Sequence, residues 1–560
     1  MICAICKAAR PSSLPPSSVT ACGGATFPHQ GGRLFSAPND TTPQLFKCQC
    51  PSLPPHGGRW HGEAVTDEGE KPRKLHNELG WIDMKTKRYE MDMCSGPLAS
   101  KILVFALPLM LSSMLQLLFN AADVIVVGKF AGRESLAAVG STTSLINLLI
   151  ALFIGLSVGA NVVVARDLGS GRKDNAGKAV HTSIALSILS GLVMSAVGIL
   201  LSPVLLQWMD SPQDVIGLST LYLRVYFAGM PATMVYNFGS AMLRAQGDTK
   251  RPLYFLSIAG VINLVLNLFF VISLHWGVAG VGAATAISQY VSAFLVLRCL
   301  RREDGPLHLE WNQLKLEWRV IRRIFEIGLP AGFQGIVFAL SNVVIQSSIN
   351  SFGSIVMGGS AASASVEGFV YNGMNAFYQT ALTFTGQNYG AGETKRADRV
   401  LLWCQVYVII TGLVLGNLAY LFGDTLVGFY VEAGPDAAAV IQQGVLRLAY
   451  VSIPYFLCGI MDTMVGSLRG LGCSVIPMVV SLLGSCVLRL VWVATIFQKN
   501  PSPEILYISY PVSWALTGGI HFLTWLYVRK KAYAKVSGAG PSYLKVDGHH
   551  PETNVSEEDS

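Results

Sequence analysis

Charge is what this sequence has least of. Only 13% of its 560 residues are Asp, Glu, Lys or Arg, about half of the roughly 25% usual in soluble domains. The shortage is local. Residues 101–530 are a succession of apolar runs of 20 or more residues, while charge, Pro, Ser and Gly collect in 1–100 and 532–560. A water-soluble fold has no place for so many helices that are apolar all round. Enzymatic signatures are missing too. There is no Gly-rich phosphate loop with its Lys, no His-Glu-x-x-His and no coherent nucleophile–base pair, so neither an enzyme nor an ATP-driven pump is expected. The net charge of +7 sits in short loops rather than on a basic stripe with interleaved aromatics, which speaks against nucleic acid as a partner. Cys299, Cys404, Cys458, Cys473 and Cys486 lie singly in or beside apolar runs and read as small buried hydrophobes. Near the start, the spacings of Cys3-x-x-Cys6, Cys22 and Cys48-x-Cys50 match no standard pair of zinc knuckles. No metal or cofactor is expected.

The first 90 residues also lack the 7–15-residue apolar stretch of a secretory signal. Residues 1–96 read as a disordered or translated upstream extension, with the working start at Met84, Met91 or Met93, and 532–560 as a disordered tail. Between them each apolar run is long enough to cross a hydrocarbon core of ~30 Å. The expected helices are 101–127, 136–164, 180–207, 220–243, 252–274, 278–299, 324–350, 358–386, 401–423, 440–467, 475–497 and 506–528. Strands are excluded, because in lipid only helices and closed barrels satisfy every backbone group. Loop charge orients the set. Arg172/Lys173/Lys178, Lys250/Arg251, Arg301 to Arg323, Lys395/Arg396/Arg399 and Arg469 follow the even-numbered helices, whereas Asp210/Asp214 and Glu432/Asp436 follow helices 3 and 9. The positive-inside rule then places both termini and the linker 301–323 in the cytoplasm.

The chain repeats itself. Leu243-Arg244-x-x-Gly247-x4-Pro252 recurs as Leu468-Arg469-x-x-Gly472-x4-Pro477, and Leu223-Arg224-x6-Pro231 as Leu446-Arg447-x6-Pro454. Leu107-Pro108 matches Leu329-Pro330, and Gly169-x-Gly171 matches Gly390-x-Gly392. The offsets of 225, 223, 222 and 221 residues share one register. Six helices per repeat give both halves the same orientation, hence a pseudo-two-fold axis along the membrane normal and a central cavity between the halves. The fold class read from these features is an all-α polytopic membrane protein of twelve transmembrane helices in two six-helix lobes, 97–300 and 324–531. Pro108, Pro231, Pro330 and Pro454 are sites for kinks, and Gly155-x3-Gly159 permits close helix contact.

A charged side chain at a helix centre costs ~2.5–3.5 kcal/mol on insertion scales, which makes intramembrane charges functional candidates. The N-terminal half has Asp123. It shares one helical face with Ser113, Gln116 and Asn120, and Asn263 and Asn267 share a face of helix 5. The amides serve either as interhelical glue or as cavity lining; a charge is not needed for glue. The second half has Glu367, Asp462 and Arg489, with Tyr371, Tyr378 and Gln334 on neighbouring faces. Glu367 and Arg489 have opposite sign and similar depth, so they read either as an ion pair or as ligand contacts. Arg244 and Arg469, at helix ends beside Gly, read as anchors of the helix C-termini and the interface.

The segments Leu107-Pro108 through Asp123-x4-Gly128, Gly155-Leu-Ser-Val-Gly159, Arg244-x-x-Gly247-Asp248-Thr249-Lys250, Gly386-Gln387-Asn388-Tyr389-Gly390-Ala391-Gly392 and Leu468-Arg469-Gly470-Leu471-Gly472 resemble the multidrug and toxin extrusion (MATE) family. Within it the chain looks most like the prokaryotic branch related to DNA-damage-inducible exporters. The resemblance spans about 97–530 and implies two V-shaped states and alternating-access antiport. Organic cations or other amphipathic drugs and toxins would leave against entering protons or sodium, through the inner (plasma) membrane. It implies a cation-coupling site at Asp123 and Asn263, which the polar faces extend to Asn120 and Asn267; the intramembrane polar residues Gln116, Gln334, Glu367, Tyr371, Asp462 and Arg489 are the candidates for the substrate cavity. Two positions depart from the sodium-linked pattern. Asn267 stands where some members have Asp, and Phe338 where sodium-linked relatives have Glu, which favours the proton. The other readings are a lipid-linked oligosaccharide flippase of the same superfamily, marked by a strongly cationic cavity, and a membrane enzyme or receptor. Expected partners are small organic substrates and the bilayer, with the protein a monomer.

Overall fold

The structure is a computed structural model and describes residues 89–209, 213–432 and 434–536. The extension 1–88 with its Met84 start, the acidic loop position Asp210 and the tail 537–560 lie outside the described residues. Twelve helices cross the molecule: α1 (Leu98–Phe130), α2 (Arg133–Gly169), α3 (Lys173–Trp208), α4 (Gln213–Ala228 and Met230–Ala245), α5 (Lys250–Ser273), α6 (Gly277–Arg301), α7 (Trp318–Asn350), α8 (Ser354–Gly390), α9 (Thr394–Leu421), α10 (Ala437–Gly470), α11 (Val475–Phe497) and α12 (Pro503–Val536). No strand occurs among the described residues. Every expected helix lies on one of these, but α1 to α3 and α7 to α9 begin three to seven residues earlier than the apolar runs do. Apolar runs mark only the lipid-immersed part of a helix, whereas backbone hydrogen bonding continues into polar first turns.

Two of the four prolines break their helices. At Pro231 the segments of α4 meet with a 45° bend after Gly229, and at Pro454 α10 passes through a 3-10 turn, Ile453–Tyr455. Pro108 and Pro330 sit inside continuous helices.

The repeat is visible in the backbone. Gly132 and Gly353, Gly171 and Gly392, and Gly247 and Gly472 all have positive φ, between 70° and 100°. Side chains rarely adopt that region, so these turns require glycine. In the last pair the helix ends identically in both lobes: Asp248 N–H donates to Leu243 O at 3.0 Å, and Cys473 N–H to Leu468 O at 2.9 Å, closing the helix with a six-to-one bond.

The lobes meet through two equivalent helix pairs, α2 with α7 and α1 with α8. In the first, Gly155-x3-Gly159 faces Gly328-x3-Gly332 so closely that a Cβ on Gly328 would stand 2.7 Å from Leu156 Cα. In the second, Phe105 packs edge-on against Phe384 at 5.2 Å. Nearer the chain ends, Arg323 of α7 makes two bonds of 2.9 Å to the buried Asp167 of α2. Asn161 of α2 donates to Ala241 O and accepts from Thr383 of α8. These contacts close the half of the molecule that carries the termini.

Two boundaries differ from expectation. Residues 89–96 are packed rather than loose: Met93 is fully buried, its carbonyl accepts from Asn388 and Arg396, and Lys101 binds the carbonyls of Asp92 and Ser95. Met91 lies against Gly247, and Gln246 bonds Glu90, so the segment touches both lobes. The linker after α6 is shorter than expected because α7 starts at Trp318. It is pinned to the N lobe by buried Leu307 and Leu309 and by Glu303, paired with Arg251 at 2.7 Å.

Candidate functional site

Among the described residues the N lobe carries one carboxylate in the middle of a spanning helix. Asp123 on α1 is half-buried and accepts a hydrogen bond of 2.5 Å from Asn267 Nδ2 on α5. Asn267 is fully buried, and its Oδ1 has no partner among the described residues. One turn away Asn263 donates to Thr285 of α6 at 3.3 Å, and Tyr222 and Tyr226 of α4 lie within electrostatic reach of Asp123. Directly after Asn267 the helix loosens into a π turn, Phe269–Ser273, a distortion often found at functional sites. Asn120 and Gln116 are not part of this cluster. Both are exposed on α1, because helical spacing sets a common face but not which part of it a neighbouring helix covers.

In the C lobe the charges are sorted differently from the sequence reading. Glu367 on α8 pairs with Arg447 of α10, not with Arg489: two bonds of 2.9 Å join them, and Ser360 takes a third from the guanidinium at 2.6 Å. Glu367 therefore leaves the list of cavity residues. Arg447 was visible in the sequence as a repeat element, but its N-lobe counterpart Arg224 is exposed and, among the described residues, bonds only to Ile199 O. The repeat thus gave no hint of a buried pair. Arg489, on α11 between two π segments (Leu482–Val487 and Val493–Phe497), donates Nε to Ser513 of α12 at 2.8 Å and lies 4.3 Å over the Tyr510 ring.

Arg489 lines a cavity of about 610 Å³ between α2 of the N lobe and α7, α8, α10, α11 and α12 of the C lobe. Gln334, Tyr371 and Asp462, expected there, line it as well; Gln116 does not. Drug-sized ligands occupy cavities of ~300–1,000 Å³. Arg469, read from the sequence as a helix-end anchor, is also in its wall, donating to Tyr378 Oη at 2.5 Å and to Gln334 Oε1 at 2.8 Å. The Tyr371 hydroxyl lies within electrostatic reach of Asp462. Missed altogether were Tyr455, Tyr510 and Trp514, which aromatic content alone could not distinguish from lipid-facing residues. Among the described residues no three His, Cys, Asp or Glu side chains could hold a metal ion.

Two lobes of one pattern, a polar cluster in the first and a cavity in the second, match what the family comparison returns. The MatE model matches the chain twice, at residues 108–269 and again at 330–495. The chain belongs to the MATE family. It is thus a multi-pass membrane transporter of the multidrug and toxin efflux type, not an enzyme. The two matches begin 222 residues apart, at Pro108 and Pro330, in the register of the internal repeat. This MATE transporter is 27% identical over 445 residues to the probable multidrug resistance protein YpnP of Bacillus subtilis (strain 168), covering 79% of this chain and 98% of that one. It is 24% identical to the probable multidrug resistance protein NorM of Thermotoga maritima, over 70% of this chain and 84% of NorM. Its fold matches a solved outward-facing multidrug resistance MATE transporter of the MOP superfamily with a TM-score of 0.73, at 20% identity, over 80% of this chain and 98% of that one.

Proposed function

We propose that this MATE transporter exports amphipathic organic compounds by alternating access, as an antiporter driven by a cation that loads at Asp123, with the proton favoured over sodium. The observation that carries the reading is the Asp123–Asn267 contact, an ionisable group held in the N lobe apart from the C-lobe cavity. Asn267 turns its amide nitrogen, a donor, toward the carboxylate, where a cation cage would want oxygen atoms. Protonating Asp123 makes one of its oxygens a donor, and Asn267 can answer by presenting its carbonyl. The pair can keep a hydrogen bond between its two side chains in either protonation state. One charge crossing ~100 mV supplies roughly 2.3 kcal/mol, enough for a substrate gradient of several tens-fold.

With the basic loops inside, both termini are cytoplasmic and the protein lies in the inner (plasma) membrane as a monomer. The lobes are then sealed on the cytoplasmic side, so this is the outward-facing state. No cofactor is required, since the ion gradient supplies the energy. In vesicles of purified protein, a proton gradient imposed without sodium should drive dye transport, and Asp123→Asn should abolish it while substrate still binds. Wild-type rates in that variant, or transport driven by sodium alone, would refute proton coupling at Asp123.

A further inference from the structure

The charges facing the C-lobe cavity do not cancel. Three ionisable side chains of fixed sign line it: Asp462 and Arg469 of α10, and Arg489 of α11. Asp462 lies within electrostatic reach of Arg469 and of the Tyr371 hydroxyl, and Arg469 has two acceptors in Tyr378 and Gln334. The other acid nearby, Glu367, is taken up by Arg447 through both its oxygens. Arg489 is left as the surplus cation. It is 3% exposed and, among the described residues, donates only Nε, to Ser513. Its Nη2 is buried with no partner among the described residues. A guanidinium has five N–H groups, and a charge enclosed without a counterion is costly unless something supplies one.

What surrounds Arg489 is aromatic. Its guanidinium lies 4.3 Å from the Tyr510 ring centre and 5.6 Å from that of Trp514. Trp514 stacks on Tyr455 at 5.0 Å with 21° between planes, and Tyr455 stacks on Tyr371 at 6.4 Å. This wall of π faces ends at the uncompensated cation.

We propose that the C-lobe cavity takes compounds that join a planar ring system to an anionic group (a carboxylate, sulfonate or phosphate), the ring against the Tyr455–Trp514 wall and the anion on Arg489. This rests on the export reading above and narrows its substrate class. Arg suits the task because its planar fork meets an oxyanion with two donors and stacks on aromatic faces at the same time.

The test uses two dyes that share a xanthene ring: carboxyfluorescein, which is anionic, and rhodamine 6G, which is cationic. Binding to the full-length protein in detergent is followed by fluorescence anisotropy. Wild type should bind carboxyfluorescein saturably. Arg489→Gln should weaken that binding by at least about tenfold, the scale of one lost charge-assisted contact, while rhodamine 6G binding stays or improves. Arg489→Lys, which keeps the charge but not the planar fork, should bind carboxyfluorescein more weakly than wild type and more tightly than Arg489→Gln. If Arg489→Gln does not fold, wild type decides: high salt should weaken carboxyfluorescein and spare rhodamine 6G. The proposal is overturned if wild type shows no saturable carboxyfluorescein binding, or if the folded Arg489→Gln variant loses both dyes equally, the mark of a structural arginine. Vesicle transport separates the two readings. Gradient-driven movement of rhodamine 6G without carboxyfluorescein would sink this inference and leave export standing. Arg489-dependent carboxyfluorescein binding with no transport of either dye would do the reverse.

Discussion

Removing the charge from Glu367 should damage the C lobe more than almost any other single polar change, and removing Arg447 with it should undo most of the damage. Glu367 and Arg447 are 5% and 6% exposed, and Tyr507 and Tyr510 lie 5.6 and 5.8 Å from the guanidinium. Breaking a buried pair by deleting one partner costs ~3–5 kcal/mol, because the survivor keeps its charge where water cannot reach it. Replacing both by apolar groups of similar volume is often neutral. Glu367→Gln and Arg447→Gln should therefore each lower the melting temperature by about 6–20 °C at 2–4 °C per kcal/mol for a domain of this size. Glu367→Leu with Arg447→Met should stay within a few degrees of wild type. Size-exclusion profiles of detergent-solubilised protein after a heating series would measure all four. Additive losses in the double variant would refute the pairing, and so would rescue of Glu367→Gln by Arg489→Gln, the partner that sequence position alone suggested.

Asp167→Asn removes the charge behind two 2.9 Å bonds to Arg323. At ~1.5–3 kcal/mol for hydrogen bonds to charged groups, it should shift the population toward the state open at the termini, raising cysteine labelling from that side; unchanged labelling would show that the pair does not hold the lobes. Gly328→Ala should have the same sense with larger effect, since the new Cβ meets the backbone of Leu156 and Gly155 at 2.7 and 2.9 Å. If it labelled and transported like wild type, the close crossing of α2 and α7 would not matter to the cycle. A chain beginning at Met84 should transport like the full sequence, whereas one beginning at Pro97 loses fully buried Met93 and should be less stable by ~2–5 kcal/mol. Equal melting temperatures for the two truncations would refute the role given to residues 89–96.

The fold was readable in the sequence because each of its causes is local. An apolar run long enough to cross a bilayer must become a helix, whatever surrounds it. An even helix count per repeat gives the two lobes the same orientation, and the repeated turns need glycine at positions such as Gly247 and Gly472 on conformational grounds alone. Asp123, Asn263 and Asn267 could be picked out as polar side chains on apolar helices, although Gln116 and Asn120 of the same stripe stay exposed. What remained hidden was which side chain meets which. Position in a helix gives depth at 1.5 Å per residue, and Glu367 lies at a depth similar to that of Arg489. Choosing between Arg447 and Arg489 needs the rotation of α10 and α11 about their own axes and the identity of their neighbours. Those follow from the 3-10 turn at Pro454 and the π segments of α11, not from the spacing within either helix. Arg469 shows the same limit. Its place at a helix end was legible, but the bonds to Gln334 and Tyr378 that turn it into cavity wall exist because α7 and α8 pack beside it. Side-chain partnership in a bundle is decided between helices, where pattern within a helix carries no information.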